Sequence, residues 1–365
     1  MPQSITKTQP RERPTVRERP LAETKPTVVC PFCGSGELIK KGKRRKKYET
    51  IQLYQCQRCQ RRFTPLIHKH HVYPLKLILD ALTLYNRFYS LEDVRELVFG
   101  SYGLRVSLQT IANWLKEFRP YLPALRLRSR LAAGYDRRKM FIESRLLHGQ
   151  VYDFKFHAAK LNLLLQAESL KAHPDFRGLE LFLGQVPKTC PHELFRRNAK
   201  KKTRSSQHKD IFNLDQVEIR SKTDNTAVRN ARFVLQAVAK NKLRHETLQE
   251  FMLINDSVTV AVEVPVLLTA KDLAYFKGKH SIVPLELKER EVITGHIDFV
   301  QVRSGKICIL DYKPGAKKEK PIEQLTLYAL ALSRLTGLRL YHFKCAWFDD
   351  KNYYEFYPLP VVYKR

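Results

Sequence analysis

Two aspartates and a lysine stand out in the stretch GHIDFVQVRSGKICILDYKPG, whose remaining residues have the composition of buried strands. Taking Ser304-Gly305 as the centre of a hairpin turn pairs Arg303 with Lys306 and Val302 with Ile307. Carried on, that register sets Asp298 directly opposite Asp311, and the side-chain period of two puts both, with Lys313, on one face. Opposed carboxylates about 5 Å apart are destabilising unless a cation sits between them. Converging carboxylate oxygens suit Mg²⁺ or Mn²⁺, which keeps waters and takes substrate phosphate as further ligands. Such an ion can activate water for attack on phosphorus, and a neighbouring lysine can offset the charge that develops. The chemistry to expect is hydrolysis of a phosphodiester.

Other residues fall around this hairpin. A helical pattern from Ala227 to Met252 contains His245, and strand-like text at SVTVAVEVPVLL contains Glu263. After the hairpin, EQLTLYALAL places Gln324 and Tyr328 four apart, on one face of a helix turned toward the acids. The ordered set of His245, Gly295 with Asp298, Asp311-Tyr312-Lys313, and Gln324 with Tyr328 resembles the PD-(D/E)xK nuclease superfamily, in its RecB-type branch. The resemblance implies that Asp298 and Asp311 bind Mg²⁺ or Mn²⁺ and that Lys313 is catalytic. It implies His245 as a further ligand, with Glu263 and Glu246 as alternatives, while Gln324 and Tyr328 line the site or touch DNA. It also implies a restriction-endonuclease-like α/β core, a mixed sheet flanked by helices, over residues 226–365.

The N-terminal part has a different chemistry. Cys30 and Cys33 precede Cys56 and Cys59, with 22 residues between the pairs. Each CxxC forms a knuckle that points two thiolates at one ion, so the four predict a closed, structural Zn²⁺ ribbon over residues 28–68. The run KKGKRRKK lies between the knuckles, and its Lys43, Arg44, Arg45, Lys46 and Lys47 are candidates for phosphate contact. Three helical segments follow in residues 69–130, the first after Pro74, the second capped by Ser90 with Asp93, the third capped by Ser107. A glycine turn before the third suggests a helix-turn-helix, with Gln109, Thr110, Asn113 and Lys116 facing a major groove. Ribbon followed by helix-turn-helix resembles the DNA-binding head of insertion-sequence transposases.

Charge agrees with a polyanionic partner. The formal net charge is +30, and residues 1–130 alone carry 26 Lys and Arg against 10 Asp and Glu. Residues 1–27, with RERP twice, read as a disordered basic arm. Residues 131–225 read as a helical and linker region in which VYDFKFHAAKLNLLL is a strand then a helix, and KKKTRSSQHKD is a basic loop. Asp153 in that strand has no second and third carboxylate in context for a ribonuclease-H-like triad and reads as structural. No apolar run reaches spanning length, so no membrane partner and a cytoplasmic, nucleoid-associated setting are expected. DNA is the expected partner, beside a second copy or proteins of transposition or defence. The rival readings are a DNA-binding regulator on an inactive nuclease scaffold, which the intact Asp, Asp, Lys set disfavours, and a transposase, disfavoured by the missing triad.

Overall fold

A computed structural model describes residues 28–64, 71–147, 150–169, 176–189, 201–215, 217–238, 241–279 and 283–363. The arm expected over 1–27 and Cys190 lie outside the described residues. No helix among the described residues is long and apolar enough to cross a membrane.

The ribbon is a three-stranded sheet of β1 (Leu38–Arg45), β2 (Thr50–Cys56) and β3 (Arg62–Phe63). The β1–β2 register slips between Lys40 and Lys43, where Gly42 takes a φ of +83° that a side chain would resist. Its core is small: Cys30, Cys56 and Phe63 are its buried members.

Three helices come next, α1 (Leu75–Asn86), α2 (Leu91–Tyr102) and α3 (Leu108–Glu117). Ser90 and Asp93 form the expected capping box, and Ser107 accepts from the Thr110 N–H. Helix α2 runs through Gly100 and stops at Gly103, whose left-handed φ of +65° ends it. The apolar face of α3 buries Ile111 and Trp114, with Phe118 just beyond. That face turns toward α6 (Thr226–Ala237), where Phe118 and Tyr121 lie 5.1 and 4.3 Å from the Phe233 ring. The helical unit and the C-terminal half thus share one hydrophobic core.

The large sheet has the order β4-β5-β8-β9-β10-β11-β12-β7, with β6 also paired to β9. Its strands are β4 (Phe141–Leu147), β5 (Val151–His157), β6 (Lys201–Arg204), β7 (Arg220–Lys222), β8 (Thr259–Thr269), β9 (Glu291–Arg303), β10 (Lys306–Tyr312), β11 (Phe343–Phe348) and β12 (Tyr353–Phe356). It is mixed, as expected: β10 runs antiparallel to β9 and parallel to β11. Helices α4 (Ala158–Ser169), α5 (Arg177–Thr189), α6, α7 (Asn241–Asn255) and α8 (Ile322–Thr336) pack around it. Strand β10 shows how both faces are covered. Ile307 and Ile309 join a cluster with α5 and α8, while Cys308, Leu310 and Tyr312 join one with α6 and α7.

Two expectations need correction. The described parts of residues 131–225 supply β4 to β7 of this sheet beside α4 and α5, so they are more than a helical linker, and KKTR of the expected basic loop is strand β6. The single helix expected from Ala227 to Met252 is two, because Val238 turns extended and lets α7 fold back on α6, Phe251 lying 5.7 Å from Phe233. One straight helix could not bury both rings against each other. Helix α7 is then pinned at its C-terminal end by Lys160. That fully buried ammonium donates to the carbonyls of Leu253, Asp256 and Thr259 at 2.5, 2.7 and 3.0 Å.

Candidate active site

The hairpin has the register read from the sequence. Lys306 pairs with Arg303 and Leu310 with Phe299, and Ser304 and Gly305 both take positive φ, +51° and +66°. Two left-handed residues make the turn that suits the twist of the strands. Asp298 and Asp311 come next in that register. There the backbone ladder gives way to a side chain: the Tyr312 N–H donates to Asp298 Oδ2 at 2.9 Å. Both carboxylates are buried, Asp298 at 8 % and Asp311 at 3 % exposure. Lys313 Nζ stands 3.0 Å from Asp311 Oδ2.

Two more groups reach the acids. His245, on α7, brings Nε2 to 3.2 Å from Asp298 Oδ2. Glu263 lies opposite Asp298 on β8, between the pairs Val262–Phe299 and Val264–Ile297. Its φ of +51° is left-handed, a strain of about 1–3 kcal/mol for a side chain of this kind. Gln249, one turn along α7 from His245, donates to Glu263 Oε1 at 2.7 Å and steadies it. Ligand atoms of His245, Glu263 and Asp298 all lie within 4.8 Å of one another. Glu246 is exposed and outside this group. Asp311 is also outside it, turned instead to Lys313.

The electrostatics are unbalanced. Burial opposes the charged form of Asp298, yet His245, Lys313 and the Tyr312 N–H together hold its carboxyl below the usual range. Burial and then the Asp298 charge push Asp311 up to about 8, and the same two causes push Glu263 up to about 7. Burial disfavours the His245 imidazolium, but Asp298, Glu263 and Asp311 outweigh it and raise the group to about 9. His245 Nε2 and Asp311 Oδ2 are buried with no hydrogen bond, their short contacts being poorly aligned. Two carboxylates, an imidazole and orphaned buried acceptors fit a hard divalent cation, and one bound there would relieve the repulsion among the acids.

Helix α8 closes the site through one close approach. A Cβ at Gly295 would stand 2.2 Å from Cε1 of Tyr328, so only glycine admits the ring. Gln324 Nε2 donates to the Tyr328 hydroxyl at 2.9 Å, and the ring is buried. The glycine three before Asp298 and the tyrosine four after Gln324 are therefore two halves of one contact.

Residues 191–350 match the family model described as PD-(D/E)XK nuclease superfamily. This segment is a PD-(D/E)XK domain. A curated relative, "Insertion element ISM1 uncharacterized 48.3 kDa protein" of Methanobrevibacter smithii, is 32% identical over 101 residues, 24% of this chain and 25% of the relative. The chain thus aligns with about a quarter of that protein's length. No solved structure matches the chain.

The PD-(D/E)XK domain opens onto a cleft of about 840 Å³ with His245, Glu263, Asp298 and Tyr328 in its lining. Strands β4 and β5, which precede the matched segment, extend its sheet, and Tyr152 of β5 stacks on His296 at 3.6 Å along the cleft. Lys202 and Arg204 of β6 line it too. Sequence reasoning missed Gln249, Tyr152, His296 and this pair, since none belongs to a spaced motif. Asp153 is tied to Arg145 at 3.1 Å across the β4–β5 hairpin, and its charge also acts on Glu263, with which it lines a neighbouring pocket.

Away from this domain, the four cysteines gather. Cys30 and Cys59 bring their sulfurs to 3.5 Å, as do Cys33 and Cys56, and all four lie within 4.8 Å of one another. Sulfurs around tetrahedral zinc stand about 3.8 Å apart, so the cluster fits a zinc ribbon. In the basic run Lys43, Arg44, Arg45 and Lys47 are exposed. Lys46 is held instead by Glu49 at 3.0 Å and the His71 carbonyl at 3.3 Å. Arg44 to Lys47, with Arg62 and His71, line a groove of about 500 Å³. Tyr48 stacks on Tyr73, which meets Trp114 edge-on, so the hairpin is joined to α3 by aromatic contacts. On α3, Gln109, Asn113 and Lys116 are exposed and Thr110 half-buried.

Proposed function

We propose that the protein is a divalent-metal-dependent deoxyribonuclease, brought to DNA by a Cys30, Cys33, Cys56 and Cys59 zinc ribbon and a helix-turn-helix of α1 to α3. The observation that carries this reading is the convergence of His245, Glu263 and Asp298 beside the Asp311–Lys313 pair at the base of a cleft. Asp298, Glu263 and His245 would hold Mg²⁺ or Mn²⁺, with Asp311 close enough to share it. When bound, the ion supplies a water activated at neutral pH and a counter-charge for the phosphate oxygens. Asp311 holds Lys313 at 3.0 Å, and the ammonium would stabilise the charge gathering on the phosphate oxygens. Tyr328, seated on Gly295 and held by Gln324, fixes the wall against which the strand lies. The likeness to an insertion-element protein supports a mobile-element setting.

The exposed cations at Lys43, Arg44, Arg45 and Lys47 would contact phosphate, and Gln109, Thr110, Asn113 and Lys116 base edges. Circular and linear DNA incubated with the full chain, with and without Mg²⁺ or Mn²⁺, tests the activity. Cutting of circles identifies an endonuclease, and cutting of linear DNA alone an end-dependent exonuclease. No divalent-dependent cleavage of either would overturn the reading.

A further inference from the structure

Strand β9 is unusual in having two partners along one edge. Strand β8 occupies one side of it over residues 292–301. On the other side β6 pairs with residues 291–294 and β10 with residues 299–303. Residues 295–298, which include Gly295 and Asp298, therefore sit in the gap between those two strands. Because β6 runs parallel and β10 antiparallel to β9, both strands end at this gap. Strand β10 delivers Asp311 and Lys313 there. Strand β6 delivers Lys202 and Arg204.

Both are exposed, both line the cleft, and neither has a carboxylate partner among the described residues. The strand end that carries them is fixed. Ser205 Oγ donates to the Thr294 carbonyl at 3.2 Å, Gln207 Oε1 accepts from the Arg204 N–H at 2.8 Å, and Glu323 of α8 accepts from the Ile211 N–H at 2.6 Å. The acids at the base of the cleft repel an incoming phosphodiester, so something must hold the strand on either side of the bond to be cut. Residues two apart on a strand project to the same side about 6.6 Å from each other, a spacing that suits successive phosphates of one nucleic-acid strand.

We propose that Lys202 and Arg204 form a two-position clamp on consecutive backbone phosphates next to the scissile one. The inference rests on the nuclease reading and names the positioning residues for its substrate. Arg204 would grip one phosphate by its planar fork and Lys202 the next as a point charge.

The test uses the full chain and oligonucleotides whose cut position has been mapped, each with one neutral methylphosphonate at a linkage near the cut. Wild-type protein should slow about tenfold or more when a clamped phosphate is neutral. Lys202→Ala and Arg204→Ala should each raise KM on natural DNA with kcat less affected, and each should lose sensitivity to one neutral linkage. Arg204→Lys should recover part of the loss. In a binding titration, the double variant's salt slope should fall by about 1.8, from two lost phosphate contacts. Wild-type KM in both single variants, with unchanged sensitivity to the neutral linkages, would overturn the clamp. If wild-type protein cuts nothing with Mg²⁺ or Mn²⁺, the nuclease reading fails first. The salt slope of the double variant then judges the clamp by itself, an unchanged slope rejecting it.

Discussion

The four-cysteine cluster takes its side chains from two knuckles within residues 30–59, whereas the acid cluster gathers His245, Glu263 and Asp298 from a helix and two strands. In the first, the surrounding core is slight, and the sulfurs are themselves much of what is buried. In the second, a large core comes first and then holds the acids in a state they would not choose, with Asp311 and Glu263 pushed up and Glu263 in a strained backbone. The difference separates a site whose ion would hold a fold together from one where a finished fold presses together acids that an ion would bridge.

The sharpest way to break this comparison is to remove one ligand from each cluster. Asp298→Ala should lower divalent-dependent cleavage at least about a thousandfold, while the C-terminal sheet stays folded and the melting temperature falls only modestly, since His245 and the Tyr312 N–H lose the carboxylate that they hold ionised. Cleavage at the wild-type rate would move the chemistry elsewhere. Cys56→Ser should do the opposite: zinc falls from about one per chain to none by elemental analysis, and hydrogen exchange shows the ribbon open. The C-terminal sheet should stay protected in that variant. Concerted loss of both regions would contradict the contrast.

Smaller changes sharpen it. Gly295→Ala sets a methyl carbon against the Tyr328 ring and should destabilise by about 1–3 kcal/mol, read in denaturant unfolding, with slower cleavage. Adding Tyr328→Ala should return some stability but no activity. Replacing Lys43, Arg44, Arg45 and Lys47 by alanine should lower the salt slope of DNA binding by about 3.6, since four phosphate contacts go. Lys46→Ala should change it less, because that ammonium is engaged by Glu49. Smallest of all, Asn113→Ala should leave overall affinity nearly level and alter preference among sequences by about 1–3 kcal/mol per base pair contacted.

How legible the site was in the sequence depended on how local its geometry is. The Asp298–Asp311 register followed from one turn and a period of two, and Gln324 with Tyr328 followed from one helical turn. Strand β6 was hidden because KKTR has no apolar alternation. It is held by backbone pairing to β9, and its exposed cations carry the signature of a loop. Strand β5 and the helix after it are legible in VYDFKFHAAKLNLLL, but β4 is not, and nothing local says that β5 joins β8 a hundred residues on. Glu263 was a candidate by type alone. Its left-handed backbone depends on its neighbours in β9 and α7, which no stretch of β8 encodes.

The joint between the helical unit and the sheet bears on where a cut would fall. Phe118 and Tyr121 press on Phe233, Asn86 and Thr83 bracket Asn255, and Arg87 ties α1 to Glu143 of β4 and Glu250 of α7. These contacts leave no linker to pivot on, so α3 and the acid cleft are set at one separation and one angle. On the proposed reading, the chain works as a ruler. The incision would keep a constant offset, in base pairs and in phase with the turn of the duplex, from whatever sequence α3 reads.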